Sequence, residues 1–278
     1  MLKQRLLTAV ILLPLLLAAL FYLDSRWIGV LFGVVVIAGA WEWSALAGLR
    51  SRTTRAGYVS AMLVIGTALI YLIAEKSGNA VSVATVSALF WLLALMELIR
   101  SDAASFGILG TQAGKLLSGG FVLLPMWASV FFLHAIDPHA PMLLLWMLVI
   151  VWIADSVAYL VGTTMGRHKL APTVSPGKTI EGAVGALVAV ALVTAVGGSI
   201  VPGYSGSGLV RWTIVGVIVA MISIVGDLVE SKFKRLAGVK DSGRLLPGHG
   251  GVLDRMDAVT SAAPVFVVSW FLLLAGSG

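Results

Sequence analysis

The sequence predicts an all-α membrane protein, a polytopic helical bundle of about nine transmembrane helices forming one integral-membrane domain over residues 1–278. Three observations lead there. The chain is 59% hydrophobic and only 12% charged, with a mean hydropathy of +1.01, a balance that a water-soluble core of this length does not reach. Apolar runs of about 20 residues, the length that crosses a hydrocarbon core, recur along the whole chain. Lysines and arginines collect in alternate loops, as the positive-inside rule requires. With no cysteine, a disulfide scaffold and a thiolate metal site are excluded. The net charge of +6 belongs to membrane loops and not to a nucleic-acid-binding domain, because no soluble basic segment exists to form one.

The spans follow in order. The first, 6–23, comes after Lys3 and Arg5. A cleaved signal peptide starts in the same way, but this run is long for one and a second span follows within a few residues, so a retained helix is expected. Further spans are expected near 27–47, 57–74, 79–98, 117–135, 141–165, 181–201, 209–230 and 259–276. With the N terminus inside, 16 of the 19 Lys+Arg lie in inside segments, and only Arg26, Lys76 and Arg211 lie outside. Nine spans then leave Gly276-Ser277-Gly278 outside. The outside connections Asp137-Pro138-His139 and Pro202-Gly203-Tyr204 are short turns with no room for a periplasmic domain. Spans 57–74 and 79–98 are poor in buried polar residues, so residues 1–135 are expected to be mainly scaffold and 141–278 the catalytic part.

Chemistry concentrates in Ser231 to Asp257, SKFKRLAGVKDSGRLLPGHGGVLDRMD, which holds six of the 19 Lys+Arg. Asp227 and Glu230 precede it, and Asp254 and Asp257 close it. Carboxylates suit a hard divalent cation, clustered Lys and Arg suit phosphate, and Gly243, Gly248, Gly250 and Gly251 with Pro247 break helix and let backbone approach a ligand. A metal–phosphate site at a membrane face follows. A basic loop that only orients the protein would need neither acids at both edges nor the PGHGG run. Ser223, Asp227, Glu230 and Lys234 fall at i, i+4, i+7 and i+11, a polar stripe that continues into the loop. Asp254 and Asp257 share a face if the last helix begins there, and Asp257 has two readings, a metal ligand or a partner for Arg255 or the helix start. His249 is either a turn residue or a donor to phosphate.

Ionisable residues within spans are functional hypotheses by default. Glu42, in Trp41-Glu42-Trp43, either meets substrate or closes a hydrogen-bond network between helices. Asp155 shares a helix face with Tyr159, Gly162 and Gly166, the last two forming a GxxxG that permits close packing. It reads as a site residue, with a structural acid paired to a nearby cation as the other possibility. In Thr173-Val-Ser-Pro-Gly-Lys-Thr-Ile-Glu-Gly182 the Gly-Lys-Thr resembles part of a P-loop, but Pro172 stands where the first glycine belongs. Ser175-Pro176 can still start a helix whose free N–H groups favour an anion, with Lys178 adding charge; a plain capped helix with a snorkelling lysine is the alternative.

Ser231-Lys-Phe-Lys-Arg235, Lys240-Asp241-Ser-Gly, Leu246-Pro-Gly-His-Gly-Gly251 and Asp254-Arg-Met-Asp257, in that order and spacing, resemble the signature of the CDP-diacylglycerol synthase (phosphatidate cytidylyltransferase) family of bacterial integral-membrane type. Ala154-Asp155-Ser-Val-Ala-Tyr159 and Ser175-Pro-Gly-Lys-Thr-Ile-Glu-Gly182 are similar to two further islands of that family, with Ser156-Val157 where Thr-Gly is the pattern. The resemblance implies Mg²⁺-dependent transfer of CMP from CTP to phosphatidate, giving CDP-diacylglycerol and pyrophosphate. It implies Asp227 and Asp254 as metal ligands, with Asp155 and Asp257 in the same set and K⁺ as a second cation. Lys178, Lys240, His249 and Arg255 would neutralise phosphates, with Asp241 as a further catalytic residue. Ser175, Pro176, Thr179, Glu181, Lys234, Arg235, Gly250 and Gly251 would line the substrates. It also implies a homodimer in a bacterial inner membrane, with the site facing the cytoplasm and the lipid tails entering from that leaflet.

Two rivals make distinct demands. A CDP-alcohol phosphotransferase needs DGxxAR followed by GxxxDxxxD, and the chain has no such run. A transporter predicts paired halves with matching broken helices, whereas charge and glycine concentrate here in the C-terminal 130 or so residues.

Overall fold

The computed structural model describes residues 13–101, 105–136, 140–198, 206–243, 245 and 250–274. In chain order these form α1 (Leu13–Tyr22), α2 (Ser25–Leu46), α3 (Arg52–Glu75), α4 (Gly78–Arg100), a 3-10 turn (Gly107–Gly110), α5 (Gln112–Ala135), α6 (Ala140–Thr164), strands β1 (Lys169–Ala171) and β2 (Ser175–Thr179), α7 (Ile180–Gly198), α8 (Ser207–Leu236) and α9 (Leu253–Leu273). Among the described residues, eight of these helices, α2 to α9, are long and apolar enough to cross a membrane, and α1 is a shorter apolar helix within the expected first span.

The two helices with internal proline, α5 and α9, are the most buried of these spans. Pro125 has no N–H, so the Phe121 carbonyl one turn earlier lacks its helical donor. The Ser87 hydroxyl of α4 donates to that oxygen at 3.3 Å. Small residues bring the neighbours close. Gly33 of α2 and Gly66 of α3 leave the room that the Trp127 indole of α5 fills, and its Nε1–H donates to the Gly29 carbonyl at 2.7 Å. Gly162, Gly182 and Gly185 let α6 and α7 run side by side, so close packing falls at Gly162 of the expected Gly162–Gly166 pair. Gly226 permits the same approach of α8 to Ser261 of α9.

Several polar contacts gather at one end of the bundle. The Trp43 indole donates to the Lys115 carbonyl at 2.7 Å, Tyr58 donates to the Leu116 carbonyl at 3.0 Å, and Arg55 donates to the Trp41 carbonyl at 2.6 Å. These bonds tie the end of α2 to the starts of α3 and α5. Phe233 near the end of α8 packs edge-on against Trp43, with centroids 5.0 Å apart, and against Phe106 at 5.1 Å. At the other end, His134 is held between the Ser25 hydroxyl and the Leu20 carbonyl, each at 2.9 Å.

Three sequence expectations are corrected. Helix α8 runs to Leu236 and α9 begins at Leu253, so Ser231–Leu236 is helix and the connection shrinks to 237–252. An apolar count stops at the first charges, but Lys232, Phe233 and Lys234 are buried in the bundle and continue the helix. Ser175-Pro176 does not start a helix: it lies in β2, paired antiparallel with β1. A residue before proline is pushed to extended backbone, which favours the strand. The helix starts at Ile180 instead, where the Thr179 hydroxyl accepts from the Gly182 N–H at 3.1 Å. The described part of α6 ends at Thr164, so Gly166 lies past the helix that was expected to display it.

Candidate active site

Helix α8 organises the site, because four-residue spacing puts Asp227 and Ser231, and likewise Glu230 and Lys234, on adjacent strips of its last two turns. The first strip faces a cavity of about 300 Å³ lined by Asp155, Tyr159 and Gly162 of α6, Lys178 and Thr179 of β2, and Asp227. Lys178 Nζ lies 2.6 Å from Asp227 Oδ2, and the Ser231 hydroxyl donates to Asp227 Oδ1 at 3.3 Å. The β-hairpin gives Lys178 its reach, since register pairs Lys169 with Thr179 and Ala171 with Ser175. Asp155, Lys178 and Asp227 are therefore brought together around one cavity.

The second strip is drier. Lys234 Nζ donates to Glu230 Oε1 at 3.2 Å and to Asp254 Oδ1 at 2.8 Å, with side-chain exposures of 10%, 3% and 8% for the lysine, Glu230 and Asp254. Such burial excludes the solvent screening that weakens surface pairs. Asp254 is further held by the Ser242 N–H, at 3.2 and 3.0 Å from its two oxygens, and by the Gly251 N–H at 2.8 Å. Glu230 Oε2 is buried and has no hydrogen-bond partner among the described residues. Asp257 lies one turn into α9, within electrostatic reach of Asp227, Glu230 and Lys234. Its Oδ1 accepts from the Ala258 N–H at 2.9 Å, and as the fifth residue of α9 it does not cap the helix start.

The remaining expected residues divide. Lys240, Asp241 and Arg255 are exposed beside the site. Arg235 leans back to the hairpin and donates to the Val174 carbonyl at 3.3 Å. Glu181 accepts from the Arg167 and His168 N–H groups at 3.1 and 3.2 Å and meets His168 Nδ1 at 2.6 Å, so it braces the hairpin. Ser175 and Pro176 lie on that hairpin, in β2. Ser223 donates to the Ala220 carbonyl at 2.8 Å and stays out of the polar cluster. Gly250 has φ of +83°, a left-handed turn that favours glycine. Gly251 is buried next to Ser242. Leu246, Pro247, Gly248 and His249 lie outside the described residues.

Glu42 is the residue whose place the sequence left open. It is 2% exposed, and its carboxylate accepts from the Ser242 hydroxyl at 3.0 Å and from the Val252 and Leu253 N–H groups at 3.0 and 2.9 Å. The network reading is the one the structure bears out. Only a span-internal acid between tryptophans signalled it, and its partners lie some 200 residues away in sequence.

The carboxylates supply hard oxygen donors of the kind a divalent cation takes. An ammonium already rests on Asp227, with Asp155 lining the same cavity, so this corner fits a cation. Asp254 is different, because Lys234 and two N–H groups already occupy both of its oxygens. Among the described residues, no three acid or histidine side chains converge as a ready-made metal cage. A site of this kind suits Mg²⁺, which keeps waters and phosphate oxygens and needs only one or two protein carboxylates.

The profile of the cytidylyltransferase family aligns with residues 3–273, nearly the whole chain. The chain belongs to that family. A phosphatidate cytidylyltransferase of Pseudomonas aeruginosa is 42% identical over 96% of this chain and 96% of its own length. One of Haemophilus influenzae is 38% identical over 99% of this chain and the whole of its own. One of Staphylococcus saprophyticus is 37% identical over 58% of this chain and 62% of its own length. Family membership makes the chain a member of an enzyme family and removes the transporter and phosphotransferase rivals.

Proposed function

We propose that this protein is a Mg²⁺-dependent phosphatidate cytidylyltransferase of a bacterial inner membrane, working at its cytoplasmic face. The observation that carries the reading is the pair of lysine–carboxylate contacts on α8, Lys178 on Asp227 and Lys234 on Asp254, in a chain of this family. In the reaction a phosphate oxygen of phosphatidate attacks the α-phosphorus of CTP. The bond from that phosphorus to the bridging oxygen of the β-phosphate breaks, and pyrophosphate leaves. The nucleophile is already anionic, so the protein's work is to bring two polyanions together and neutralise them.

In that reading the cavity between α6, the hairpin and α8 receives the triphosphate. Asp227, with Asp155 beside it, would hold Mg²⁺, whose contribution is to draw charge from the phosphates during transfer. Asp254 and Asp257 would complete the acidic wall, Asp254 entering the metal's shell only if Lys234 releases it. Lys178, displaced from Asp227, would meet a phosphate as a point charge. Lys240, Asp241 and Arg255, exposed beside the site, would serve at its mouth, and His249 would donate to a phosphate. K⁺ as a second cation and a homodimer complete the proposal, with α6–α9 as the catalytic part and α1–α5 mainly as its frame. The test is to incubate purified protein in detergent with labelled CTP and dioleoyl phosphatidate. CDP-diacylglycerol should form, require Mg²⁺ and rise with K⁺ over Na⁺. Lack of product with any phosphatidate overturns the reading, and equal rates in K⁺ and Na⁺ remove the second cation.

A further inference from the structure

Val252, the N-cap residue of α9, gives the helix no side-chain cap. The first N–H groups of a helix have no partner within it and lie at its positive end. Here the carboxylate that satisfies them comes from α2, since the Val252 and Leu253 N–H groups donate to Glu42. The same carboxylate takes the Ser242 hydroxyl on the far side of the connection. Glu42 therefore joins Ser242 to the start of α9 while its own helix is fixed elsewhere by Trp43 on the Lys115 carbonyl.

Asp254 depends on the same few residues. Its carboxylate is held by the N–H groups of Ser242 and Gly251, and Ser242 is shared, N–H to Asp254 and hydroxyl to Glu42. Two of the glycines fit this arrangement as well. A Cβ at Gly243 or at Gly251 would run into the Glu42 carboxylate. The glycines that looked, in sequence, like room for a ligand are at these two positions room for an acid of the protein.

We propose that Glu42 is a positioning residue for the reaction, tying Ser242 to the first N–H groups of α9 so that Asp254 and the start of α9 face α8 in one arrangement. The role rests on the cytidylyltransferase reading, and it goes beyond it by assigning work to the N-terminal half of the chain. Groups that orient a site's direct ligands commonly cost about 10- to 100-fold in activity when altered.

The experiment compares wild type with Glu42→Gln, Ser242→Ala and the double variant, by steady-state kinetics and by hydrogen–deuterium exchange in detergent. Glu42→Gln should lower kcat by about 10- to 100-fold with KM for CTP little changed. Exchange in a peptide covering 250–255 should speed up, while peptides from α3 and α4 keep the wild-type rate. Ser242→Ala should shift both readouts less and in the same direction, and the double variant should be no worse than Glu42→Gln, because the two share one contact. A Glu42→Gln protein with wild-type kcat, or with reduced kcat and unchanged exchange over 250–255, overturns the role, and so does full additivity. Should Glu42→Gln fail to accumulate folded, Ser242→Ala decides, and wild-type behaviour in both of its readouts overturns it. Wild type without turnover would overturn the reaction itself and this role with it; wild-type turnover in Glu42→Gln overturns this role alone.

Discussion

Replacing Lys234 with methionine removes a buried charge while keeping most of the stem volume. Lys234 is the hydrogen-bond partner of Glu230 Oε1 at 3.2 Å, and Glu230 Oε2 has none among the described residues, so Glu230 would be left as an unsatisfied buried acid. Asp254 would fare better, since the Ser242 and Gly251 N–H groups still serve it. Removing one partner of a buried pair costs about 3–5 kcal/mol, and most of that loss should come from Glu230. Adding Glu230→Gln should therefore recover roughly half or more of the loss, a coupling of about 1.5–3 kcal/mol between contacting residues. Unfolding in mixed micelles, followed by the fluorescence of the chain's 9 tryptophans, measures both. A Lys234→Met protein within about 1 kcal/mol of wild type, less than an ordinary hydrogen bond to a charged group, would refute the claim that this lysine compensates buried acids.

Other substitutions probe the rest of the frame. Lys178→Met should lower kcat/KM by about 100-fold or more, as loss of a charge-stabilising group at a reacting phosphate does, with melting temperature little changed because the side chain is a quarter exposed. Gly251→Ala sets a methyl against the Ser242 hydroxyl and the Glu42 carboxylate and should cost about 1–3 kcal/mol by the same unfolding assay, with activity falling too. Thr179→Val removes the hydroxyl that accepts the Gly182 N–H and should cost about 1 kcal/mol, read as a lower melting temperature.

What the sequence could convey depends on how local the cause is. The spans were legible because apolar length is counted along the chain, and the one-ended gathering of charge was legible from loop composition. Asp227 and Asp155 could be singled out because an ionisable group in an apolar run stands out wherever its partners are, and Lys178 because of its Gly-Lys-Thr run. The start of α9 near Asp254 was legible from its acids, but the end of α8 was not. Lys232 and Lys234 are buried among partners from α9 and the 3-10 turn region, and only the folded bundle makes such charges compatible with a helix. The β-hairpin was hidden for a related reason: five residues of β2 hold their shape by pairing with β1 and through Glu181, and neither strand has an alternating pattern of its own. Glu42 announced itself as an odd acid, but its role lies in donors from the opposite half of the chain.

The most direct test of the account is CDP-diacylglycerol formation by purified Asp227→Asn and Asp254→Asn beside wild type, with folding checked by size-exclusion elution and melting. The account predicts turnover in wild type and a loss of about 100-fold or more in each folded variant, the scale expected when charge stabilisation at the reacting phosphate is removed. Wild-type turnover in either folded variant would contradict the placement of the reaction on the acids of α8 and α9.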